Sequence, residues 1–137
     1  MGRDTDTICA VSTPPGTGGI SVIRVSGKNS LDIVKKLADF LPLDPPSHKI
    51  FYGNLLDPQN KEIIDEVLIS YFKKGSSFTG EETLEINAHG NLIIVENILN
   101  ALVFCGARLA DRGEFTYRAF MNDNIDLVQA ESVLALS

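Results

Sequence analysis

The sequence predicts an α+β domain, a mixed β-sheet of about five strands with helices packed on one side of it. Three observations predict this class. Runs rich in β-branched residues alternate irregularly with segments of 3.6-residue apolar period. Two neighbouring runs are joined by a short polar turn, so they form an antiparallel hairpin rather than part of a regular parallel array. Finally, 137 residues that are 44% hydrophobic suit a single core.

In chain order, Thr7 to Val11 and Gly19 to Ser26 read as strands, separated by the loop Ser12-Thr13-Pro14-Pro15-Gly16-Thr17-Gly18. Asn29 stands where a helix cap belongs, and Leu31, Val34, Ala38 and Leu41 form one stripe that Pro42 and Pro45-Pro46 terminate. Lys49 to Leu56 and Glu66 to Lys73 flank the turn Asp57-Pro58-Gln59-Asn60. Thr83 to Ala88 is a further strand, followed by a helix capped by Asn91. That helix carries Leu92, Val95, Ile98, Leu99, Leu102 and Val103 at helical period, with Gly106 as a left-handed stop. Arg108 to Ala110 is one more short strand, and Gly113 to Leu136 gives two helical pieces broken at Met121-Asn122-Asp123-Asn124, with Asp126 capping the second. The last helix meets no stop signal, which predicts a piece of a longer protein. The organisation expected is one domain over 1–120 and the start of a helical domain over 121–137.

Composition narrows the function. No apolar run is long enough to span a membrane and no secretory leader opens the chain, so the expectation is a cytoplasmic domain. The net charge of -6 argues against this segment gripping RNA alone, since that affinity comes mainly from Lys and Arg. Cys9 and Cys105 are far apart and belong to no CxxC pair, so buried thiols are expected and neither a disulfide framework nor a zinc site. The glycine loop is not a phosphate cradle. Ser21 occupies the position of the second glycine of a P-loop, and the loop enters a strand rather than a helix. Gly27-Lys28 does precede a helix, but Asn29 replaces the hydroxyl residue and Val22 the first glycine.

Two strand residues stand out. Arg24 shares its face with Ile20 and Val22, so it needs a carboxylate, a ligand or an edge strand from which to reach water. Glu85 alternates away from Leu84, Ile86 and Ala88, which describes either a solvated glutamate or an acceptor that takes two parallel N–H groups of a planar ring. Thr79 and Glu82 have capping-box spacing but lead into a strand, so a structured loop is expected. His89 lies at a strand-to-helix switch with no second ligand at metal spacing, and no catalytic constellation is legible.

Taken together, DTICAVSTPPGTGGISVIRVSG, SFTGEETLEINAHGN, GARLADRGEFTYRAFMNDNIDL and VQAESVLAL resemble the amino-terminal domain of the MnmE/TrmE family of tRNA-modification GTPases. Only Pro42 to Gly75 matches weakly. The resemblance implies a fold related to the tetrahydrofolate-binding domain of the glycine-cleavage T-protein, a homodimer and a bound 5-formyl-tetrahydrofolate or related one-carbon folate. It also implies a flavoprotein partner, MnmG/GidA, with tRNA held through the full complex for modification at C5 of a wobble uridine (5-carboxymethylaminomethyl type). GTP hydrolysis, with potassium and magnesium, would belong to a separate domain absent from these residues. By motif, Arg24 and Glu85 match the folate contacts of the family, and Asn124 stands where a third contact is usually Lys. Arg112 before GEF, where Pro is usual, and Asn91 in place of a second Gly after His89-Gly90 are further departures. Two rival readings remain, a folate-dependent aminomethyl or methyl transferase of the T-protein class and a dimerisation module without ligand.

Overall fold

A computed structural model describes residues 5–12 and 19–122. The described strands are Ile8–Val11 (β1), Ile20–Ser26 (β2), Lys49–Leu56 (β3), Ile63–Phe72 (β4), Thr83–His89 (β5) and Arg108–Leu109 (β6). The helices are Ser30–Lys35 (α1), Leu92–Phe104 (α2) and Glu114–Met121 (α3). The strands form one sheet in the order β3-β4-β5-β2-β1-β6, antiparallel throughout except for the parallel β1/β6 edge. The sheet is therefore mixed, as expected, with six strands rather than about five. No described helix is long and apolar enough to cross a membrane.

Alternation along the strands decides the core. Ile23 and Val25 of β2, Leu84 and Ile86 of β5, and Val67, Ile69 and Tyr71 of β4 fall on one face and are buried with Val34 and Leu37 near α1 and Val95, Ile98 and Leu102 of α2. Not all helices lie on that face. The ring of Phe115 in α3 meets the guanidinium of Arg24, which alternates to the opposite side, so α3 caps one end of the second face.

Three local expectations are corrected. The first helix stops at Lys35 although Leu37, Ala38 and Leu41 are buried as the stripe required. The carbonyl of Leu37 accepts the N–H of Leu56 at 2.8 Å, so Leu41 N–H turns to Ala38 O instead and the backbone continues as turns. Asn29 makes no side-chain cap bond. The Glu82 side chain takes over by accepting from Leu31 N–H at 3.3 Å, while Ser30 Oγ donates to Gly27 O at 2.8 Å. On α2, Leu92 and Val103 face outward and the buried stripe is Val95, Ile98, Ala101 and Leu102.

The hairpin, the Asn91 cap and the helix stop agree with expectation. Asn91 Oδ1 accepts from Ile93 and Ile94 N–H at 2.8 and 3.2 Å, and Gly106 takes φ +118° directly after the helix. Cys9 is fully buried, and burial pushes its thiol up to about 11, which leaves it an inert core group. Cys105 is only half-buried. The second helical piece, with Asp126, and most of the 121–137 segment lie outside the described residues.

Gly27 anchors the β2–α1 turn against the chain start. It has φ +138°, and a Cβ there would lie 2.7 Å from the backbone Cα of Thr7, whereas Gly75 has φ +88° and open space around it. Gly75→Ala should therefore cost only backbone strain, about 1–2 kcal/mol. Gly27→Ala adds a backbone clash and should lower the urea midpoint markedly more. Equal midpoints for the two variants would contradict this packing.

Candidate functional site

The antiparallel register of β2 and β5 sets Arg24 directly opposite Glu85. Arg24 Nε donates to Glu85 Oε2 at 3.1 Å, with the two side chains 20% and 28% exposed. Because β2 has a neighbour on each side, the edge-strand reading of Arg24 is overturned, and Glu85 is not a freely solvated glutamate. The guanidinium also lies over the rings of Phe78 and Phe115, each centroid 5.2 Å from Cζ. Such stacking suits the delocalised, weakly hydrated guanidinium.

The pair has capacity left over. Among the described residues, no partner other than Glu85 hydrogen-bonds Arg24, and Glu85 Oε1 accepts nothing. Next along β5, on the same face, the Asn87 amide has no hydrogen bond to a described residue either. A half-buried acceptor and a guanidinium edge on rigid interior strands, beside two phenyl rings, form the donor–acceptor pattern that holds the edge of a planar heterocycle.

One end of this face is closed by a polar cluster. Ser26 Oγ shares a 2.7 Å hydrogen bond with Thr79 Oγ1 and donates to Glu81 Oε1 at 2.8 Å. Arg118 of α3, only 3% exposed, donates from Nη1 to both Glu81 oxygens at 3.1 Å and to Asp6 O at 2.7 Å. Its Nη2 donates to Glu114 Oε2 at 3.1 Å, and that carboxylate also takes Arg108 Nη1 and Nη2 at 3.1 and 2.7 Å. Thr79 and Glu82 thus belong to a structured loop, as the sequence suggested, and that loop carries Phe78 to Arg24.

At the opposite end of β5 stands a second polar contact. Asp65, 9% exposed, accepts His89 N–H at 2.8 Å and the ring Nδ1–H at 2.8 Å, while the His89 side chain is 68% exposed. Because an ionised carboxylate only accepts, Nδ1 carries the proton and Nε2 is the ring nitrogen left over. No group of three or more His, Cys, Asp or Glu among the described residues is placed to hold a metal. Two surface depressions, about 390 Å³ beside Lys28 and Lys74 and about 320 Å³ beside Phe104 and Cys105, are lined by neither Arg24 nor Glu85.

Of the sequence-derived site residues, the fold brings Arg24 and Glu85 into contact, whereas Asn124 lies outside the described residues. His89 stands four residues from Glu85 along β5, roughly 13 Å at strand rise. Sequence reasoning missed Phe78 and Phe115. Both sit in the quoted motifs, as the Phe of SFTG and the Phe of GEF, but nothing local to either segment says that they converge on one guanidinium.

Burial alone would raise the Glu114 carboxyl, but the Arg108 hydrogen bonds, the Asp111 N–H and the charges of Arg108 and Arg118 together hold it below its usual value. A depressed folded value means stability that is fully present above the unfolded value of about 4.3 and lost as pH falls through the folded one. Urea midpoints should therefore drop between pH 5 and pH 3, and Glu114→Gln should flatten that drop while lowering stability at pH 7. An unchanged acid slope in the variant would remove Glu114 from the account.

Comparison with known proteins gives one family. Its profile, described as "GTP-binding protein TrmE N-terminus", matches residues 7–124. A Bdellovibrio bacteriovorus protein named tRNA modification GTPase MnmE is 64% identical over 134 residues, covering 98% of this chain and 28% of that protein. Proteins of the same name from Lactobacillus gasseri and Staphylococcus aureus are 50% identical over 132 residues and 45% over 133, covering 94% and 96% of this chain and 28% and 29% of theirs. The chain thus spans little more than a quarter of the length of these relatives.

Proposed function

This chain belongs to the family of TrmE amino-terminal domains, and on that premise we propose that it binds a reduced folate and pairs with a second copy of itself within a tRNA-modification GTPase. The ligand is 5-formyl-tetrahydrofolate or a related one-carbon tetrahydrofolate, which when bound carries the one-carbon unit. The single observation that carries this reading is the Arg24–Glu85 pair, with Glu85 Oε1 and the outer guanidinium nitrogens unspent among the described residues, beside two aromatic rings. Glu85 accepts ring N–H groups of the pterin, Arg24 fixes the Glu85 carboxylate and meets an electronegative ring atom, and Phe78 and Phe115 keep water from the pair. Asn124, outside the described residues, is carried as the third contact by motif alone, with an amide where a Lys is usual.

The same face supports self-association. Ile50, Tyr52 and Leu68 are exposed large apolar residues, and the register sets Ile50 against Ser70 and Tyr52 against Leu68 on the side of the sheet that carries Glu85. An apolar patch rimmed by polar groups is the usual mark of an interface. In the parent protein, GTP hydrolysis with magnesium and potassium lies in another domain, and tRNA is held in a cytoplasmic complex with the flavoprotein MnmG/GidA for modification at C5 of the wobble uridine.

Calorimetry with 5-formyl-tetrahydrofolate tests the site. Glu85→Ala should weaken binding at least about tenfold, the loss expected for a charge-assisted pair of hydrogen bonds, with an unchanged circular-dichroism spectrum. Undiminished affinity in the folded variant would end the folate reading. For the dimer, Leu68→Asp should move the sedimentation coefficient from dimer towards monomer at micromolar concentration, and an unaltered dimer would place the interface elsewhere.

A further inference from the structure

We propose that Arg118 is a positioning residue of the Arg24–Glu85 site: its guanidinium latches α3 to the 77–82 loop, and both aromatic walls stand over Arg24 only while that latch holds. The proposal takes its ligand from the folate reading and goes beyond it in giving control of that site to α3.

The two rings over Arg24 come from different elements, Phe78 from the loop and Phe115 from α3. Arg118 and Asn122 join those elements beside Phe78. Arg118 Nη1 donates to both Glu81 oxygens at 3.1 Å, and the Asn122 amide donates to Thr79 O at 3.0 Å. Arg118 Nη1 also reaches Asp6 O at 2.7 Å, and Glu114 takes the Arg108 guanidinium, so these anchors of α3 are polar too. Arg118 makes no hydrogen bond to Arg24 or Glu85, and it acts on the pair through the rings.

Docking of this kind is all-or-none. Thr116, Arg118 and Ala119 are the buried residues of α3, and none of them belongs to the apolar core on the opposite face of the sheet. The helix can therefore leave without opening that core. Arg118 lies buried between the carboxylates of Glu81 and Glu114. Loosening one contact would strand a buried charge, so α3 leaves with the whole set released to water or stays. When it leaves, Phe115 goes with it and water reaches the Arg24 guanidinium, where the charge-assisted bonds that hold a ring edge weaken. By reciprocity, a ligand on the pair holds α3 down. In a parent longer than the matched residues 7–124, the chain after α3 can draw on this wall.

The test uses the 137-residue chain carrying Phe115→Trp, whose indole reports alone because the sequence has no Trp. Without ligand, adding Arg118→Gln should shift the indole emission to the red and raise its quenching by acrylamide while the urea transition stays cooperative, and Arg118→Lys should restore part of the shielding. In the chain with Phe115, Arg118→Gln should weaken 5-formyl-tetrahydrofolate about tenfold by calorimetry, whereas in the Phe115→Ala background it should cost about twofold at most, since that wall is already gone. A merely structural role would lower the urea midpoint in both backgrounds without that difference in affinity. Unchanged quenching in Arg118→Gln, or equal losses of affinity in the two backgrounds, would overturn the latch. Should Arg118→Gln not fold, Asn122→Ala removes the Thr79 tie without stranding a charge and should move quenching and affinity the same way to a smaller extent; no movement in either would overturn the latch as well. Equal affinity in the wild-type chain and in Glu85→Ala would instead overturn the folate reading and with it the control of a folate site, while quenching, read without ligand, judges the latch by itself.

Discussion

A guanidinium on an interior strand has to be neutralised where it stands. Arg24 cannot turn aside to water as an edge residue could, because β1 and β5 flank it. Removing its partner would leave an uncompensated charge in a half-buried position, so the β2/β5 register that delivers Glu85 is a requirement of the fold as well as of the site. A slip of β2 by one residue would turn Arg24 into the core and Ile23 out of it.

Much of the remaining architecture serves that face. The opposite face is filled by α1 and α2 with aliphatic side chains, which are non-directional and tolerant. The Arg24 face is closed at one end by directional contacts instead: Ser26, Thr79, Glu81, Glu114, Arg108 and Arg118 form a linked set in which each carboxylate meets a guanidinium or an N–H. Such a cluster contributes little net energy relative to an apolar plug, but it fixes where Phe78 and Phe115 stand. Positioning the aromatic walls by charge pairs makes the hollow rigid at that end.

What was legible in the sequence divides along the same line. Alternation and helical period located the strands, the hairpin and the core, because these depend on neighbours in sequence. The first helix was overextended because its Leu37 carbonyl is claimed by Leu56, a contact nineteen residues away that no window around Leu37 contains. For the same reason Asn29 looked like a cap while Glu82, from another part of the chain, does the capping. At the site, the oddity of Arg24 and the ambiguity of Glu85 were visible residue by residue. Their mutual contact was not, since it is set by the pairing of strands sixty-one residues apart. The i,i+4 spacing of Glu114 and Arg118 was a readable signal, but their common junction with Asp6 and Arg108 needed the fold.

The β1/β6 edge bears on how the chain is made. β1 pairs on its outer side with only Arg108 and Leu109, through Arg108 N–H to Thr7 O and Ala110 N–H to Cys9 O. During synthesis, β1 leaves the ribosome about a hundred residues ahead of that cover. Until then its fully buried Ile8 and Cys9 belong to an open strand edge, the feature that invites pairing with another nascent chain. A stalled or cleaved product ending before residue 108 therefore keeps most of its core and exposes a sticky rim, which makes it a candidate for aggregation rather than for simple unfolding.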